Sequence, residues 1–145
     1  MENSLIEQFD KARYNMIKWL TIGWAVWVGS YILKGMITNH LIVLFFVYAG
    51  LLGWILFIIN LIQYLKLRKE INADSKLKEA LANNEMIQQY AYKSFFIGFC
   101  VFVVTIVCFF AVSLFQELSA LFVSRTTLYL GVLSALVANL IYNRS

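Results

Sequence analysis

Few residues in this chain are equipped for chemistry, and those that are lie within or beside long apolar segments. Asn60 stands six residues before Lys66, and Asn139 five before Arg144, while Trp24 follows Lys18 by six. Counted inward from those charges at ~1.5 Å per helical residue, two carboxamides and an indole N–H share a layer roughly 7–9 Å into the apolar part. Gly23 and Gly98 fall at the same level. Two readings of this layer stand. Asn60 and Asn139 satisfy each other, or with Trp24 they line a small polar vestibule for an ion or a lipid headgroup.

Other chemistry is excluded by what is missing. No Asp or Glu occurs between residues 11 and 69, nor within 95–115 or 121–142. A small four-helix transporter that exchanges protons for cations needs a carboxylate in the membrane, so that class is disfavoured. Paired carboxylates, a Ser-His-Asp set, an HExxH helix and a glycine-rich phosphate loop are all lacking. The one histidine, His40, cannot supply two axial haem ligands, and no carboxylate near it suggests a metal. Cys100 and Cys108 are separated by more than ~10 Å along one helix, too far to bond to each other. They read as inert thiols. The chain is therefore expected to be no enzyme and to need no cofactor.

The elements that must carry these residues are unusual. Four apolar stretches, residues 19–38, 41–64, 95–115 and 121–142, fill most of the 145 positions. Each is near the ~20 residues a helix needs to cross a bilayer core. Only Lys34 and Arg125 are charged within them, both close to a stretch end. Soluble helices or strands of this length would show polar faces, and these show almost none. Charged residues make up 14% of the chain, against ~25% in soluble proteins. The expectation is an all-α, polytopic integral membrane protein: one domain with four transmembrane helices in a bundle. The first stretch follows a mixed-charge segment and exceeds a signal-peptide core, so it reads as a retained span.

Charge sets the orientation. Lys11, Arg13, Lys18, Lys66, Arg68, Lys69, Lys76, Lys78, Lys93 and Arg144 form one set, ten of the twelve Lys and Arg. Lys34 and Arg125 form the other. The positive-inside rule then places both termini and the middle connection in the cytoplasm, in the inner membrane if the cell is bacterial. The net charge of +4 sits beside the spans, where it suits lipid headgroups and not nucleic acid.

Residues 1–18 read as an amphipathic helix in the headgroup region before the chain turns inward. Ser4 and Glu7 have capping-box spacing, and Leu5, Phe9, Ala12 and Met16 share a face. Residues 66–93 read as a cytoplasmic helical hairpin: the second helix runs on past the bilayer, turns near residues 72–75, and returns as helix into the third span. Leu77, Leu81, Asn84 and Ile87 trace one face of the returning helix. That stripe either packs on the stub of the second helix or on the membrane surface, or forms a seam for a second copy or a different protein. Trp19 and Tyr142 fit an inner aromatic belt, and Lys34 snorkels to the outer interface as an anchor. Trp24, Trp27 and Trp54 should pack inside, with N–H groups bonded to carbonyls or Asn. Ala25/Gly29, Ala49/Gly53 and Gly131/Ala135 provide small surfaces at four-residue spacing for close helix approach.

These features predict a small non-enzymatic membrane protein that acts by helix-mediated association with itself or a membrane partner. The alternative is a small oligomeric channel or transporter with its polar layer at Asn60 and Asn139.

Overall fold

The computed structural model describes residues 2–33, 39–74 and 85–143. Among them are four helices: α1 (Glu2–Leu33), α2 (His40–Ala73), α3 (Glu85–Ser113) and α4 (Ala120–Tyr142). Lys34, Leu77, Leu81 and Asn84 lie outside the described residues. Ile87 belongs to α3, but its side chain lies outside them too.

Three helices are long and apolar enough to cross a membrane: α2, the Gln88–Ser113 part of α3, and α4. The sequence reading expected four. The described part of α1 beyond Lys18 covers residues 19–33, short of the ~20 that a span requires.

α1 is uninterrupted from Glu2 to Leu33, so the chain does not turn at residue 18. Ser4 lies inside the first turn and does not start the helix. The apolar face at the amino-terminal end is covered by protein. Phe9 is 6% exposed and Ile71 of α2 only 1%, with Leu5, Ile6, Tyr64 and Leu67 packed around them. The Phe9 and Tyr64 rings are 5.0 Å apart. This face is buried against α2, and the length of the two helices lets them pair there. Helices of 32 and 34 residues span roughly 48 and 51 Å at ~1.5 Å per residue, well beyond a ~30 Å core.

Glycine fixes the helix pairs. A Cβ at Gly50 would lie 2.5 Å from Trp27 Cβ, and one at Gly53 would lie 2.7 Å from Gly23 Cα. The α1 and α2 backbones meet there with no room for a methyl group. On α3, a Cβ at Gly98 would lie 2.6 Å from Ala135 Cβ and 2.8 Å from the Gly131 carbonyl oxygen of α4. Such contact supplies dispersion where surrounding lipid offers no hydrophobic drive.

α1 thus pairs with α2 and α3 with α4, and a less extensive contact joins α1 to α4. The other pairs barely meet among the described residues. The order across the molecule is α2–α1–α4–α3, an open row. Among the described residues the expected bundle is not closed: glycine draws each helix to one close neighbour, and α2 and α3 barely meet.

α2 starts at Asn39, whose side chain accepts from the Leu41 N–H at 3.1 Å. It ends with Asp74 as C-cap, whose N–H donates to the Ile71 carbonyl.

Candidate functional site

The α1–α2 and α3–α4 seams are lined by glycine, alanine and aromatic rings. The α1–α4 seam differs, since two side-chain hydrogen bonds cross it. Tyr129 of α4 donates to the Ala25 carbonyl of α1 at 3.0 Å. Nearer the chain ends, Arg13 Nη2 donates to Asn143 Oδ1 at 2.8 Å. Asn143 Nδ2 donates in turn to the backbone oxygen and Oδ1 of Asn139, each at 2.7 Å. Asp10 approaches the same guanidinium at 3.5 Å, one turn back on α1. Arg13 Nε and Nη1 are buried without a partner among the described residues. The cationic side chain also stands at the carboxyl end of α4, where the helix dipole favours it.

At the other end of this seam is a cleft of about 260 Å³. Trp24, Trp27 and Tyr31 of α1 form one side, and Arg125, Leu128 and Tyr129 of α4 the other. The Arg125 side chain has no ion pair or hydrogen bond among the described residues. On the opposite flank of α4 a groove runs along α3. One part, about 340 Å³, lies around Gly98, Phe99 and Val132; the next, about 670 Å³, is lined by Phe102, Phe109, Thr127 and Leu128.

The expected polar layer does not assemble. Asn60 Nδ2 donates to the Leu56 carbonyl of its own helix at 2.7 Å, and Asn139 is engaged by Asn143. α1 lies between the two asparagines. The physical reason is local: an amide one turn from an i−4 carbonyl finds a partner without crossing to another helix. Gly23 and Gly98, placed by depth at the same level, serve helix contact. Trp24 lines the α1–α4 cleft, apart from Asn60. The expectation for the indoles also fails, because Trp24 Nε1 and Trp54 Nε1 are buried without an acceptor among the described residues. Trp54 packs edge-on against Trp27, ring centroids 6.0 Å apart.

No protein-family model, curated protein or solved structure matches this chain. Its function has to be argued from its own residues.

The anchors have definite neighbours. Lys18 Nζ stands 6.0 Å from the Trp19 ring centroid, and Tyr142 stacks on Tyr90 of α3 at 5.7 Å and 10°. Cys100 and Cys108 are free and exposed on α3.

Sequence reasoning missed Tyr129 and the Arg13–Asn143 pair. A phenol in the middle of an apolar helix signals a hidden acceptor, because its hydroxyl is costly to leave unpaired away from water. Arg13 carried no such signal, since its partner is 130 residues away.

Proposed function

We propose that this is a non-enzymatic protein crossing the membrane four times, with both ends in the cytoplasm, that works by lateral association with a second copy of itself. The observation carrying this reading is the open row. α2 and α3 stand at its ends, each packed closely on one neighbour, and large apolar side chains cover their remaining surface. On α3 these include Phe95, Phe99, Val103, Val107 and Phe110. Lipid can solvate such a face, and so can the same face of another copy.

Two further points support the placement. The Arg13–Asn143 bond puts the amino-terminal part of α1 and the carboxyl-terminal end of α4 at the same end of the helices, in keeping with an even number of crossings. That end also carries most of the Lys and Arg, which favours the cytoplasm.

The test uses the native thiols. Mild oxidation of membranes holding the full chain should trap a dimer through Cys100 or Cys108, and the Cys100→Ser/Cys108→Ser variant should lose it. Amine crosslinking should also give a dimer, in both forms. A monomer by both chemistries at native expression overturns the reading.

A further inference from the structure

Arg125, Leu128, Val132 and Leu136 recur along α4 at spacings of three, four and four, one stripe of the helix. Gly131 and Ala135 on one side of it face α3, and Tyr129 on the other side faces α1. The stripe is the floor of a trough. Trp24, Trp27 and Tyr31 wall it on the α1 side, and Phe95, Phe99 and Phe102 on the α3 side. Leu128 lines both the α1 cleft and the α3 groove, and its half-exposed side chain stands between them.

We propose that this trough holds one anionic glycerophospholipid, its phosphate on Arg125 and an acyl chain along Leu128, Val132 and Leu136. The chemistry is divided along the trough as it is along a lipid. One end has an exposed guanidinium with no partner among the described residues. Arginine matches phosphate with two parallel N–H donors, a geometry that a water-filled end does not use up. The rest is apolar, and from Arg125 to Leu136 it runs roughly 16 Å at ~1.5 Å per residue, about half a bilayer core. Charge complementarity selects the headgroup. Arg125 lies in the first turns of α4, at the opposite end from Asn143, so the lipid comes from the leaflet away from Arg13. A zwitterionic lipid would bring its own cation to the same arginine and bind less well.

This inference rests on the membrane placement proposed above; Phe95 and Phe99 wall the trough and also belong to the α3 face proposed for self-association, so the titration is read on the monomer. It is tested on the full chain purified in detergent, by native mass spectrometry during titration with phosphatidylglycerol or phosphatidylcholine. Insolubility without detergent checks the membrane reading separately. The expected result is one retained phosphatidylglycerol, bound about tenfold more tightly than phosphatidylcholine, as one charge-assisted contact allows. Arg125→Gln should bring the two lipids level, and Arg125→Lys should keep part of the preference. Leu128→Trp, which fills the trough, should weaken both lipids while leaving the helix content by circular dichroism unchanged. Inorganic phosphate should not displace the lipid. Equal binding of the two lipids to the wild type, a preference that survives Arg125→Gln, or displacement by phosphate alone would each overturn the proposal.

Discussion

The Tyr129 hydroxyl lies 3.0 Å from the Ala25 carbonyl oxygen, and a Cβ built at Gly29, one turn further along α1, would also lie 3.0 Å from that hydroxyl. The phenol therefore bridges the α1–α2 and α3–α4 pairs by fitting into the space that glycine leaves. Donor, acceptor and glycine form a single device, and the device holds the middle of the row together.

Tyr129→Phe removes the bond and keeps the ring. Interhelical bonds of this kind contribute ~0.6 kcal/mol on average, so a small loss of stability is expected in a detergent unfolding titration. Gly29→Val should cost more, because a branched side chain displaces the phenol and opens the α1–α4 contact. Combining the two should give less than the sum, since both act on one contact.

Gly50→Ala and Gly98→Ala test the pairs themselves. Each places a methyl within 2.6 Å of a neighbouring side chain, which forces the backbones apart. A loss of about 1–3 kcal/mol is expected for each, the usual range for overpacking. The positions sit in different helix pairs, and the atoms nearest their Cβ sites belong to different residues. Their effects should add within ~0.5 kcal/mol. Strong non-additivity would show that the two helix pairs are not separate units.

The fates of these residues show what a linear reading can reach. Composition and the lengths of the apolar runs determine the helices and the membrane class, because both depend only on transfer to lipid. Helix pairing is a matter of surface shape, and Ala25/Gly29, Ala49/Gly53 and Gly131/Ala135 show it only as available space. Gly53 meets Gly23, and Gly50, outside every four-residue pair considered, makes the closest approach to Trp27. Depth counting placed Asn60 and Asn139 together because it measures height along a helix. It carries no information on azimuth or on which helix stands between. Phe9 and Ala12 were legible as an apolar face, but Tyr64, Leu67 and Ile71, at spacings of three and four within a charged stretch, were the overlooked partners.

The Arg13–Asn143 pair predicts an asymmetric cycle. Asn143→Leu leaves a largely buried guanidinium, its side chain 16% exposed, with only Asp10 at 3.5 Å. Stranding one member of a buried polar pair costs about 1–3 kcal/mol. Replacing both, as Arg13→Met/Asn143→Leu, removes the stranded donors along with their acceptor. The double variant should therefore be more stable than Asn143→Leu alone. A double variant that is less stable would mean that Arg13 contributes mainly through other contacts.

Phe9 and Ile71 decide what holds the amino-terminal part of α1. Phe9→Ala empties a site enclosed by Leu5, Ile6, Tyr64 and Leu67, and a loss of about 3 kcal/mol is expected, the lower end for a buried aromatic ring. Its backbone amides should be protected from hydrogen exchange in neutral detergent, with no anionic surface present. Ile71→Ala should release that protection across residues 5–12, although the mutated residue is on α2. An amphipathic helix held by headgroups would behave in the opposite way. It would need anionic lipid for protection, and Ile71→Ala would leave it unchanged. Because Phe9 and Ile71 belong to the same cluster, the double variant should lose less than the two single losses combined.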